Sequence, residues 1–176
     1  MSGREIGALY GARIERLEPP IEYGKAYADR VMRDVDLAGF AYRALFQLDV
    51  KTRRLVQVLL ERRRLPNAPA AHEAALAALT QAYGPPTLVC DSPRTGAAAS
   101  AIQRERVWRL PTTSIHLVYL DIGGGEMQED WRMLPPDPLV PELERRLRGA
   151  GAYPKSLLVR FHPSDRRELF TPGCGR

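Results

Sequence analysis

The 176-residue sequence has few of the residues that usually mark a metal site or an active site. It contains two cysteines and three histidines, and the metal-binding spacings His-x-His and His-Glu-x-x-His do not occur. No serine lies in the Gly-x-Ser-x-Gly pattern of a nucleophile elbow. The triple glycine Gly123-Gly124-Gly125 is followed by Glu126 rather than by the Gly-Lys-Ser or Gly-Lys-Thr of a phosphate loop. We therefore predict no catalytic residue, no metal site and no cofactor.

Long hydrophobic runs are missing too. A membrane-spanning helix needs about 20 apolar residues, and the longest candidate, Leu55 to Leu60, has the length of a strand. No export leader opens the sequence, because Met1 is followed at once by Ser2-x-x-Glu5, a capping box that begins a helix. We expect a periplasmic protein if an upstream leader and a first strand are missing from this chain, and a cytoplasmic protein otherwise. Cys90 and Cys174 fit both compartments, and their pairing stays open.

The charge is moderately basic, with a net charge of +5 and a pI near 9.5. Most basic residues fall in predicted turns and at element ends, which is typical of a solubilising surface. A nucleic-acid interface would interleave basic and aromatic residues, as Arg104, Arg106 and Trp108 do on one side of a predicted strand. We weigh this hypothesis against an edge strand protected by its charges, with Trp108 turned to the core. The second interpretation is favoured.

The residues present indicate helices that alternate with antiparallel strands. A first helix is predicted from Ser2 to about Tyr10, and a strand after it from Ala12 to Leu17, ended by Glu18-Pro19-Pro20. A second helix begins near Asn67 and Pro69 and ends at Gly84. Alternating or continuous apolar runs predict the remaining strands; they are Val31 to Leu37, Phe40 to Leu48, Leu55 to Leu60, Thr87 to Asp91, Val107 to Leu110, Ile115 to Leu120 and Ser156 to His162.

The two halves of the sequence match one another in four short blocks. The first three blocks keep nearly one offset, and before the fourth the offset jumps by about thirty residues. The pairs are Tyr10-Gly11 with Tyr83-Gly84, Val31-Met32-Arg33 with Val107-Trp108-Arg109, Leu45 to Asp49 with Leu117 to Asp121, and Leu55 to Val58 with Leu157 to Arg160. We predict an α+β fold of two tandem helix-plus-antiparallel-meander units that form one sheet-rich body. The units are 1–66 and 67–163, with an insertion at about 126–155 and a polar tail at 164–176.

The predicted insertion contains one amphipathic helix. Its apolar stripe is formed by Leu139, Val140, Leu143 and Leu147 and stands opposite charged residues. One interpretation packs this stripe on the protein's own sheet. The other makes it a docking site for a partner, because only the second unit carries the insertion.

Two segments resemble known proteins. The start Met1 to Ile6, followed by Leu9-Tyr10-Gly11, resembles the first helix of small bacterial envelope proteins. These include the accessory lipoproteins of outer-membrane barrel assembly and tandem helix-plus-sheet proteins of the β-lactamase-inhibitor kind. The run Val107-Trp108-Arg109 through Ile115 to Leu120 is similar to uncharacterised proteobacterial envelope proteins. The resemblance implies a periplasmic binding or scaffolding role without catalysis, although the leader, the lipid-attachment cysteine and an uninterrupted second unit are missing.

Our leading hypothesis is therefore a non-enzymatic envelope protein that binds another envelope protein through a sheet face or the insertion helix. The alternative is a cytosolic nucleic-acid-binding protein that uses Arg104, Arg106 and Trp108. The sequence leaves the oligomeric state open.

Overall fold

The computed structural model describes residues 1–63, 68–93, 101–122 and 155–166. Within them the fold is α+β, with two α-helices and one antiparallel sheet of eight strands. The helices are α1 (Gly3–Tyr10) and α2 (Ala68–Tyr83), and a 3-10 turn at Gly11–Arg13 follows α1. The strands are β1 (Glu15–Tyr23), β2 (Ala26–Leu37), β3 (Phe40–Asp49), β4 (Leu55–Arg63), β5 (Leu88–Pro93), β6 (Ala101–Arg109), β7 (Thr113–Ile122) and β8 (Lys155–Pro163).

The capping box begins α1 as the sequence predicts. The Ser2 hydroxyl accepts a hydrogen bond from the Glu5 backbone N–H, and the Glu5 carboxylate accepts one from the Ser2 backbone N–H. These bonds satisfy donors that the first turn of a helix otherwise leaves free. Gly11, with a φ of 56°, ends the helix. The short helix thereby holds Ile6 fully buried against the sheet.

The predicted end of the first strand at Glu18-Pro19-Pro20 is wrong. Strand β1 continues through both prolines to Tyr23, and the Glu18-Pro19 peptide bond is cis. The pairing of β1 with β2 shifts register between Arg16 and Ile21. β1 ends the strand order and, among the described strands, pairs with β2 alone, so the missing proline N–H groups need not contribute to a second ladder there.

The strand order is β1-β2-β3-β4-β8-β7-β6-β5. Strands β1 to β4 form one antiparallel meander, and β5 to β8 form another apart from the residues between β7 and β8. The two sets meet where β4 pairs with β8, from Val58 opposite Phe161 to Arg63 opposite Ser156. The predicted insertion, apart from Lys155, and most of the predicted tail lie outside the described residues.

Both helices pack on the same face of the sheet, which we call the helix face. Its core is apolar because alternate residues of each strand point to it. Residues of α1, α2 and six strands form one buried cluster there: Ile6, Met32, Tyr42, Ala44, Phe46, Leu48, Leu60, Ala71, Ala75, Leu79, Trp108, Ile115, Leu117, Tyr119, Leu157 and Val159.

We call the other side of the sheet the polar face. A smaller apolar cluster lies on it, formed by Leu17, Ala28, Val31, Leu45 and Leu59 from β1 to β4. Farther along the sheet, the strand registers place buried polar side chains on this face. Strand β3 illustrates the division, because Phe46 belongs to the helix-face cluster while its neighbours Leu45 and Gln47 point the other way.

Candidate functional site

A row of buried polar side chains crosses the middle of the polar face. Polar groups lose hydration when they are buried, so each needs a compensating contact or it destabilises the fold. The row comes from strands β3, β4, β6, β7 and β8 and consists of Gln47, Gln57, Glu61, Glu105, Ser114, His116 and His162.

One end of the row is a Glu–His pair on the neighbouring strands β6 and β7. Glu105 on β6 and His116 on β7 place Oε1 and Nδ1 2.7 Å apart, and both side chains are 1% exposed. Oε1 of Glu105 and Nδ1 of His116 share a hydrogen bond in this contact. A buried pair at this distance fixes the orientation of the imidazole ring.

His162 on β8 continues the row beside His116. The two ring centroids lie 5.0 Å apart with planes tilted by 33°, and Nδ1 of His162 donates to the Pro163 carbonyl oxygen over 2.8 Å. Arg160 lies directly opposite His116 in the register of β8 and β7. Burial lowers the pKa of Arg160, and the negative charge of Glu105 acts in the opposite direction.

Two more polar pairs extend the row across β3 and β4. The side-chain amide of Gln57 donates to Oε1 of Gln47 over 2.8 Å. Arg43 donates from Nε to a Glu61 carboxylate oxygen over 2.9 Å. These contacts join residues that face one another in the strand register. The row therefore compensates most of its buried polar groups by pairing across strands, which also favours this register over a slipped one.

A cavity of about 230 Å³ adjoins the row at one end of β4, β7 and β8. His162 contributes to its lining, together with Gln57, Thr112 and Thr113. The remaining lining residues are apolar: Leu55, Val56, Val58, Phe161 and Pro163. The Glu105 and His116 side chains are almost fully buried, so a small molecule does not reach them from solvent. It would come nearest to the row in the cavity, which His162 lines.

Arg104, Arg106 and Trp108 lie on the helix face, on one side of β6. Trp108 is 1% exposed and donates its indole N–H to the Gly84 carbonyl over 2.8 Å. Arg106 donates to Asp91 over 2.7 Å, and the Arg104 guanidinium lies 6.0 Å from the centre of the Tyr119 ring. Trp108 thus offers no exposed ring for a nucleic-acid base to stack on.

The candidate partner-binding residues of the predicted insertion helix lie outside the described residues; they are Leu139, Val140, Leu143 and Leu147.

Strand β5 carries features that sequence reasoning left open. Cys90 is disulfide-bonded. Its neighbour Val89 is 56% exposed, and Tyr83 at the end of α2 is 44% exposed.

Within the described part of the chain, no three His, Cys, Asp or Glu side chains come together as a metal site. None of the helices described there is long and apolar enough to cross a membrane.

Sequence reasoning did not bring together Glu105, His116 and His162. A signal was present, because His116 is the one strongly polar residue in the apolar run Ile115 to Leu120. Burial of this strand therefore also buries the imidazole of His116, which then requires a polar partner. The identity of that partner depends on strand register, which the sequence did not specify for β6 and β7.

Comparisons with protein-family models, curated proteins and solved structures found no match for this chain.

Proposed function

We propose that this chain is a non-enzymatic envelope protein that binds or scaffolds another protein. The observation that carries the proposal is the disulfide at Cys90. Disulfides persist in secreted and periplasmic proteins and are rare in the reducing cytosol. Together with the resemblance of the first helix to that of small envelope proteins, this favours a periplasmic location over a cytosolic one.

The binding surface that we propose lies at the β5 end of the sheet. β5 is last in the strand order and pairs, within the described residues, with β6 alone. Val89 on β5 and Tyr83 at the end of α2 present exposed apolar side chains there. Exposed apolar groups at a strand edge favour contact with another polypeptide.

The tandem-unit interpretation belongs to the same proposal. Each matched block falls on an equivalent element, since Tyr10 and Tyr83 end the two helices, and Val31 and Val107 lie on β2 and β6. The remaining blocks lie on β3 with β7 and on β4 with β8. This correspondence supports a duplicated unit that is interrupted between β7 and β8. The apolar stripe that the sequence predicts in that interruption is a second part of the proposed binding surface.

The compartment is tested in the native host. The protein carries an affinity tag at its C-terminus, the cells are fractionated, and free thiols are alkylated before mass spectrometry. We expect a periplasmic protein with Cys90 blocked in its disulfide. A protein found in the cytosolic fraction with Cys90 alkylated would refute the envelope assignment.

Binding is tested by in-cell cross-linking followed by identification of the partner. We expect Val89→Lys to reduce the yield of a reproducible partner at least fivefold. Val50→Lys is the matched control, because Val50 is 51% exposed and lies in the turn between β3 and β4. A second variant deletes residues 127–153 to test the insertion helix. If neither Val89→Lys nor the deletion changes any partner, the proposed surface is wrong.

A further inference from the structure

Strands β4 and β8 separate at one end of the sheet. Their pairing stops at Val58 opposite Phe161, while β4 continues for three more residues that remain beside β3. At the end of this stretch, Leu55 donates its backbone N–H to the Met1 carbonyl over 2.7 Å. The N-terminal residues therefore occupy the outer edge of β4 at Leu55, and β8 occupies it from Val58 onward. The cavity adjoins the interval between them.

The size and lining of this cavity restrict what it would bind. An apolar cavity of about 150 Å³ holds benzene, whereas drug-sized ligands need roughly 300 Å³ or more. At about 230 Å³, the cavity matches one substituted six-membered ring. No Asp, Glu, Lys or Arg is among its lining residues. An uncharged ligand would therefore be favoured, because a charged one would lose its hydration without a counter-ion.

The polar lining groups indicate one hydrogen-bonding substituent on the ligand. Gln57 uses its side-chain NH₂ group to donate to Gln47, which leaves the amide oxygen as its acceptor for a ligand O–H or N–H. The Thr112 and Thr113 hydroxyls are able both to donate and to accept. A hydroxyl on an otherwise apolar ring is able to donate to the Gln57 amide oxygen and to exchange hydrogen bonds with the threonine hydroxyls. A bare hydrocarbon is able to do neither.

We propose that this cavity is a binding site for an uncharged phenol-type ring, apolar on its body and bearing one hydroxyl. The ring comes either from a free small molecule or from a tyrosine side chain, which have the same chemistry. The proposal does not depend on the protein-binding function proposed above, since it rests on the cavity alone.

The test uses the full chain with its disulfide intact and measures backbone amide shifts by NMR during titration. Phenol is the probe, toluene lacks the hydroxyl, and benzoate replaces it with a charge. We expect saturable shifts centred on residues 55–58, 112–113 and 161–163, with phenol binding at least fivefold more tightly than toluene or benzoate. N-acetyltyrosinamide separates the two sources, because its binding indicates a tyrosine side chain and its exclusion indicates a free molecule.

One matched pair of variants and one double variant test whether the shifts report this cavity. Thr112 is exposed in the turn before β7, so Thr112→Phe adds a ring at the cavity without opening the core. We expect it to weaken phenol binding at least tenfold, whereas Val50→Phe adds the same ring elsewhere and leaves binding unchanged. Thr112→Val and Thr113→Val, made together, remove both hydroxyls and should reduce the preference for phenol over toluene. Phenol shifts that are absent, or equal in Thr112→Phe and the parent protein, would overturn the proposal.

Discussion

The helix face of the sheet is closed by apolar side chains from both helices, whereas the polar face buries paired amides, carboxylates and imidazoles. On the helix face, Ile6 of α1 and Leu79 of α2 join a cluster that extends from Met32 to Val159. On the polar face, the Glu105–His116 pair is as deeply buried as that cluster. The two faces therefore achieve similar burial by different physical means.

This difference has consequences for specificity. An apolar cluster tolerates substitutions that preserve volume, because its attraction is not directional. Hydrogen-bonded pairs require particular atoms at particular distances, so they penalise any register that separates them. We infer that the helix face supplies most of the stability and that the polar face fixes which strands pair and how.

The largest effect is expected from Trp108 on the helix face. Trp108→Ala would remove a fully buried ring and its hydrogen bond to Gly84, so we expect a loss of about 3–5 kcal/mol in the free energy of unfolding. Urea denaturation followed by circular dichroism measures this loss. Leu9→Ala is the control, since Leu9 is exposed, and it should change stability by less than about 0.5 kcal/mol. Similar losses in both variants would contradict the assignment of the core.

On the polar face, we expect a strongly non-additive result. Glu105→Leu would leave His116 buried without its carboxylate, at a cost of about 1–3 kcal/mol in the free energy of unfolding. His116→Leu would remove the imidazole that pairs with the buried Glu105 carboxylate, at a similar or greater cost. The double variant removes both partners, so its loss should be smaller than the sum of the two single losses.

A double-mutant cycle from urea denaturation gives the coupling energy. We expect at least about 1 kcal/mol between Glu105 and His116. The control cycle pairs Glu105→Leu with Gln57→Leu, which removes a different hydrogen bond of the row and should be nearly additive. Additive losses in the first cycle would mean that the pair does not act as a unit, and the contrast between the two faces would fail.

The apolar face was largely predictable from the sequence. The alternation from Phe40 to Leu48 and the helix that ends at Gly84 both correspond to elements of the fold. The course of β1 was not predictable, because Pro19 and Pro20 ordinarily end a strand and only an edge position accommodates them. The polar row was missed for a related reason: its pairs join strands whose register is a property of the folded sheet.

On the helix face, a smaller effect on stability is expected from the titration of His72. It lies on α2, nearly buried, with its ring 5.5 Å from that of Tyr119. Burial lowers its pKa from the ordinary 6.5, and Arg106 and Arg104 act in the same direction, while Glu73 and Asp91 oppose them. The unfolded chain then binds more protons than the folded one as the pH falls below about 6.5, so this stability is present above that pH and is lost below it.

The comparison of His72→Phe with the parent protein isolates this contribution. The variant keeps an aromatic ring beside Tyr119 and removes the His72 imidazole, while His116 and His162 are present in both proteins. We expect the stability of the parent protein to fall more steeply than that of the variant between pH 7.5 and 5.5, as measured by urea denaturation. Parallel profiles would show that His72 makes no differential contribution.

The smallest effect on stability is expected from Tyr42→Phe on the helix face, which we compare with Gln57→Leu on the polar face. Tyr42 is buried on the helix face, its hydroxyl has no hydrogen-bond partner among the described residues, and burial raises its pKa to about 12. Tyr42→Phe removes a polar group that gains nothing from its position, so stability should stay within about 0.5 kcal/mol or increase. Gln57→Leu removes a paired amide from the polar face and should cost about 1–2 kcal/mol, because Gln47 loses its partner. If Tyr42→Phe proves the more damaging of the two by thermal and urea denaturation, the polar groups of the two faces do not differ in the way their hydrogen bonds indicate.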